Sequence, residues 1–325
     1  MSEPRAQRTV APTTPPTPSV ARAPGFGPDD AFIVFAYAIL RREAATLPAL
    51  KPKVEHSPTP DEIHQLRVAA RRLRVALRLF ARMLPSRVVA RLRTEIRWFA
   101  TSLGDVRDLD VYGEGFKAYA QTVLPALRGG LSAYELYLRR ERAEARQRAA
   151  AAFASPRTAA LFADLERFAA TGPSAAAVRR WRSLKVRDAV RRGIRRSVAR
   201  VCRLGEPLAE RPVPKALHDL RIKAKRLRYE LEFFAEVYPH LKQTAKACKT
   251  LQDLLGTHQD AYTANARLRN YSALLRKQAS DAGLPPALVE LRKSQLAVAR
   301  GVRQSFKEQW PAFAATIDAA RRAVA

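Results

Sequence analysis

Two histidines, each followed by guanidinium groups at helical spacing, are the residues best suited to chemistry, and that chemistry is the capture of phosphate oxygens. His64-Gln-Leu-Arg67-Val-Ala-Ala-Arg71-Arg72-Leu-Arg74 recurs 154 residues later as His218-Asp-Leu-Arg221-Ile-Lys-Ala-Lys225-Arg226-Leu-Arg228. An α-helix advances about 100° per residue, so His64, Arg67, Arg71, Arg74 and Arg78 share an arc of about 80° along roughly 20 Å of axis. Leu66, Ala70, Leu73, Leu77 and Phe80 lie nearly opposite. The second copy repeats the arc with His218, Arg221, Lys225 and Arg228, but places Glu232 where the first has Arg78. An ordinary solvated face interleaves Glu with Lys, whereas these stripes carry almost one sign, which destabilises a helix unless an anion binds. Arginine's planar fork matches phosphate oxygens two at a time. A histidine among arginines loses its proton readily and regains it beside a bound anion, so binding should strengthen as pH falls. The competing reading makes each ring structural, bonded to a backbone carbonyl near the helix start.

The repeat extends beyond these helices. Arg41-Arg42 matches Arg195-Arg196 at the same offset. Leu103-Gly104-x-x-Arg107-Asp108 matches Leu255-Gly256-x-x-Gln259-Asp260, and Arg97 matches Lys249, at an offset of 152. Ser155-Pro156 and Trp310-Pro311 are looser equivalents. The chain reads as a tandem duplication over 29–172 and 173–325.

The elements that must position these residues are helices. From Asp29 onward apolar residues recur at three- and four-residue spacing among Ala, Leu, Arg and Glu, with no alternating β-branched run, so the fold class is all-α. Thr59-Pro60-Asp61-Glu62 fits a capping box opening a helix from about Pro60 to Met83. Pro and Gly supply the expected breaks, among them Pro85, Gly104, Gly129-Gly130, Pro156, Gly172-Pro173, Gly205, Pro207, Pro239, Gly256, Pro285-Pro286 and Pro311. Residues 1–28 hold seven prolines and no apolar periodicity, and are expected to be a disordered tail.

Composition agrees with a polyanion partner. Lys and Arg total 59 against 30 Asp and Glu, a net charge of +29, and 47% hydrophobic residues exclude a disordered polycation. Biased codon usage could account for part of that excess. Cys202 and Cys248 have no C-x-x-C spacing and read as reduced core residues. The longest uncharged apolar stretch, Ala31 to Leu40, is ten residues, too short for a membrane span. With no signal-peptide pattern, the cytoplasm is the expected compartment.

Asp105, Asp108 and Asp110, with Asp253 and Asp260, are the carboxylates a metal-dependent phosphohydrolase would use. They read better as helix-start residues or partners of arginines. No Walker loop, Gly-x-Ser-x-Gly or His-Glu-x-x-His is present, and His56, His240 and His258 lack metal-ligand spacing. No enzyme, cofactor or metal is expected. A nucleic-acid binder is the main alternative, although only Tyr229 offers an aromatic ring beside the stripes.

The doubled motif resembles the CHAD family, named for conserved histidines in an α-helical domain. The resemblance runs from about residue 29 to the C-terminus. It implies two related helical bundles about a pseudo-two-fold axis with a basic surface between them. It also implies inorganic polyphosphate, or another polyanion, as partner and polyphosphate granules as a location. Carried over by position, His64, Arg67, Arg71, Arg72, Arg74, His218, Arg221, Lys225, Arg226 and Arg228 become the ligand set. The repeat adds Arg78, Arg97, Lys249, Arg41, Arg42, Arg195 and Arg196. Many relatives carry an N-terminal triphosphate-tunnel domain; here a Pro-rich tail precedes the helices, so no catalysis from that source is expected. Gln259 in place of Arg107 implies unequal halves.

Overall fold

The capping box expected at Thr59 is present in both directions, Glu62 N to Thr59 Oγ1 at 3.3 Å and Thr59 N to a Glu62 carboxylate oxygen at 2.9 Å. It satisfies backbone donors that a helix start otherwise leaves bare. The helix it opens, α2 (Pro60–Leu79), is followed by a 3-10 turn over Ala81–Met83 and stops before Pro85. Leu66, Ala70, Leu73, Leu77 and Phe80 are fully buried, as the arc opposite His64 requires.

The computed structural model describes residues 25–51, 58–279 and 283–324. Most of the expected tail, residues 1–24, and His56 lie outside them. The fold is all-α. The remaining helices are α1 (Phe32–Leu50), α3 (Ser86–Ser102), α4 (Gly104–Thr122), α5 (Leu131–Ala154), α6 (Pro156–Ala170), α7 (Ala175–Trp181), α8 (Val186–Glu210), α9 (Pro214–Phe234), α10 (Leu241–Gln278) and α11 (Pro286–Ala323). Among the described residues no helix is long and apolar enough to cross a membrane.

In the first half α1 packs on α2 and α6, α2 on α3, and α4 on α5. In the second, α8 packs on α9 and α11, α9 on α10, and α10 on α11. Where the first half breaks into α3 and α4 at Leu103, α10 runs straight through the matching Leu255-Gly256. Among the described residues the halves share one apolar core, and three further junctions matter to the site. Phe32 N donates to Leu184 O at 2.8 Å and Val186 N to Asp30 O at 3.0 Å, tying the entrances of α1 and α8. A small apolar cluster around Phe116, Tyr134, Leu268, Tyr271 and Leu288 joins α4 and α5 to α10 and α11. The third junction, α2 against α9, brings the two cationic stripes together.

Several expected breaks are absent. Gly205, Pro207, Gly256 and Pro311 all lie inside helices. Gly205 is a packing residue: a methyl there would sit 1.8 Å from Trp310. Free Cys248 is buried and free Cys202 half-buried.

Candidate functional site

Lys225 of α9 feels charges from both helices of the α2–α9 junction. Burial, then the charges of Arg71, Arg221, Arg228 and Arg67, push its ammonium down to about 6. Arg67 and Arg71 come from α2 and the others from α9, so groups from both halves bear on one point. The acid that feels Lys225 is Asp260 on α10, which also feels Arg221 and Asp108. Among the described residues Lys225 makes no ion pair.

Two of these guanidiniums lie beside glycines of the neighbouring helices, tightly at Gly104 and at ordinary contact distance at Gly256. A methyl at Gly104 would come within 3.0 Å of Arg67 Nη1, and one at Gly256 within 3.8 Å of Arg221 Nη2. Arg67 donates to Asp108 at 3.3 Å. Arg221 keeps a buried Nε with no hydrogen-bond partner. Burial, and then Arg107 and Arg71, lower the His64 pKa. His218 instead has Nδ1 2.7 Å from Gln259 Oε1. Gln259 occupies the place of Arg107, so one imidazole faces a cation and the other is held by an amide. Among the described residues neither ring bonds a backbone carbonyl.

A second group of cations adjoins the first through Arg74. Burial, then Arg78, Arg97, Arg71 and Arg93, lower the Arg74 pKa. Arg226 feels Arg78, Arg200 and Arg74, and Lys223 feels Arg226, Arg200 and Arg78. These side chains come from α2, α3, α8 and α9. The carboxylate among them, Glu230, is buried and accepts a hydrogen bond from Ser197; burial raises its pKa.

The sequence that builds this junction matches a known domain. The model of the CHAD domain aligns with residues 38–269, more than half of the sequence. The chain belongs to the CHAD domain family. Its fold resembles the crystal structure of the CHAD domain from the plant Ricinus communis, with 26% identity, 94% of this chain and 96% of that one covered, and a TM-score of 0.56. It also resembles PptA from Streptomyces chartreusis at a TM-score of 0.64 and 19% identity, covering 85% of this chain and 98% of that one; this likeness is one of fold. Two uncharacterized proteins of Mycobacterium tuberculosis, from strains CDC 1551 and H37Rv, are 28% identical over 210 residues. Those residues are 64% of this chain and 40% of each relative, so the CHAD domain here spans well under half of their length.

Not every expected ligand residue joins the CHAD junction. Arg72 is a correction. Its Nε and Nη2 donate to both Glu43 oxygens at 2.9 Å, its Nη1 donates to Glu232 at 2.7 Å, and its guanidinium lies over the Tyr229 and Phe233 rings. Arg42 is paired with Glu236 at 2.6 Å, and Arg41 donates to the Ala169 carbonyl at the end of α6. Lys249 is paired with Asp253 at 2.7 Å and Arg228 with Glu232 at 3.5 Å. Arg195 is exposed on α8; Arg196, also exposed, is one of the cations felt by Glu230. Sequence reasoning missed Arg93, Arg107, Arg200 and Lys223 as site residues. Arg107 was visible as the partner of Gln259, but the other three have no matching cation in the opposite half. Asp105, Asp108 and Asp110 pair with Arg148, Arg67 and Arg142, as their arginine-partner reading anticipated.

A polyanion bound at this junction would meet a lysine, Lys225, whose charge depends on pH. Its folded-state pKa is depressed, so it is charged below about 6 and neutral above it in the free protein. A bound polyanion favours the charged form, so above that pH association must take up a proton. Affinity should therefore fall by up to about tenfold per pH unit above 6. Titrations between pH 6 and 8 test this, and Lys225→Arg should flatten the slope. An equally steep slope in that variant would remove Lys225 from the account.

Proposed function

We propose that this CHAD domain is a non-catalytic binding module for inorganic polyphosphate, held where α2 and α9 meet, and that this affinity directs the protein to polyphosphate granules. The observation that carries the reading is the crowding of Lys225 by four guanidinium groups from both helices without an ion-pair partner. Buried like charges are unfavourable until a counter-charge arrives, and a chain of phosphates supplies many at once. The family's association with polyphosphate points the same way.

Nucleic acid fits this surface less well. Base stacking needs exposed rings. Tyr229, the aromatic residue beside the stripes, is 2% exposed and lies beneath the guanidiniums of Arg72 and Arg228. Phosphoryl chemistry would need free carboxylates, whereas Asp105, Asp108 and Asp110 are engaged by arginines and Asp253 by Lys249, which among the described residues leaves Asp260 alone of the five candidates without an ion pair.

The experiment is a titration of the full chain with long-chain polyphosphate, using duplex DNA as competitor at equal phosphate concentration. Polyphosphate should bind and DNA should displace it poorly. Displacement at parity would turn the assignment into a general polyanion surface; absence of binding would end it.

A further inference from the structure

Opposite corners of the α2–α9 junction use matching positions for opposite purposes. At one corner Arg72 sits between Glu43 and Glu232. The residues 154 positions from these three are Arg226, Ser197 and Arg78. At the other corner, then, Arg226 meets Arg78 where Arg72 meets Glu232, and Ser197 stands where Glu43 stands. Two further replacements add charge: Arg200 matches Thr46 and Lys223 matches Ala69. From α3, Arg93 bears on both Arg74 and Arg78.

We propose that the corner formed by Arg78, Arg93, Arg200, Lys223 and Arg226 is a second anion seat, reached by a polyphosphate only when the chain is long enough to run there from Lys225. The inference rests on the polyphosphate reading and adds a discrimination by chain length. Among the described residues none of these five cations makes an ion pair, in contrast to Arg72. Arg78, Arg93 and Arg200 are exposed, so the seat is open to solvent. Its buried carboxylate, Glu230, accepts a hydrogen bond from Ser197 and bears on Arg78, Arg200 and Arg226 without pairing with any of them. Asp219 is a further acid there, felt by Lys223. Arg74 feels both Arg71 and Arg78, which makes the path between the seats continuous in charge. A short anion satisfies one seat. A long one satisfies both, and the second engagement is intramolecular.

The test uses the full chain carrying Arg93→Gln and Arg200→Gln, exposed positions whose loss leaves the core intact. Tripolyphosphate and long-chain polyphosphate are titrated into this variant and the wild type. Long-chain affinity should fall by at least about tenfold, and its log-log salt dependence should flatten by about 2. Tripolyphosphate affinity should be unchanged. Unchanged long-chain affinity, or equal loss for both ligands, overturns the second seat while leaving the central site standing. A wild-type chain that binds neither ligand overturns the functional reading and this inference together.

Discussion

Arg71→Glu and Arg221→Glu, combined with Arg67→Gln and Lys225→Gln, should weaken retention of long-chain polyphosphate by at least about a thousandfold. Each charge-assisted hydrogen bond to phosphate contributes about 1.5–3 kcal/mol, so four lost contacts exceed that factor even at the lower figure. The substitutions fall on half-buried positions at the junction, so helicity and thermal unfolding must be followed beside binding. Should the fourfold variant fail to fold, Arg71→Glu alone serves, with a smaller loss of the same sign. The wild type should also be highly sensitive to salt. Neutralising six or more phosphates costs roughly a thousandfold or more between about 50 and 200 mM salt. Full retention by a folded fourfold variant would show that the phosphates lie elsewhere.

Arg72→Ala should do the reverse: destabilise the fold and leave binding nearly unchanged. The Glu43 side chain is 5% exposed and Arg72 16%, and removing one partner of a buried pair typically costs about 3–5 kcal/mol. Arg42, 3.5 Å from Glu43, will offset part of that loss, so the lower figure is expected. The clamp also links the halves, because Glu43 belongs to α1 and Glu232 to α9. Arg139→Ala is the control: it and its partner Glu135 are 72% and 36% exposed, and such a pair contributes about 1 kcal/mol or less. Urea denaturation of the two variants measures the difference. A neutral Arg72→Ala with lost polyphosphate affinity would return Arg72 to the ligand set.

The α2 helix was legible almost completely because cap, length and amphipathic arc all depend on local spacing. Thr59 and Glu62 fixed the start, Pro85 the stop, and the buried Leu66-Ala70-Leu73-Leu77-Phe80 face the orientation. The same arithmetic places Arg72 about 100° from Arg71, off the stripe; motif resemblance alone had put it among the ligands. What the spacing could not supply was tertiary. Gly205 and Gly256 look like punctuation, yet both lie inside helices; Trp310 excludes a side chain at Gly205, whereas Arg221 lies at ordinary contact distance from Gly256. Pro207 and Pro311 are carried within helices long enough to absorb them. Arg93 and Arg200 enter the site from α3 and α8, and no periodicity within those helices points toward α2.

The central claim, that α2 and α9 serve a single polyphosphate chain, is tested most directly by the stoichiometry of calorimetric titration. One binding event per protein chain is expected, with Arg71→Gln and Arg221→Gln each weakening that same event. Two independent events, each sensitive to one substitution only, would contradict it.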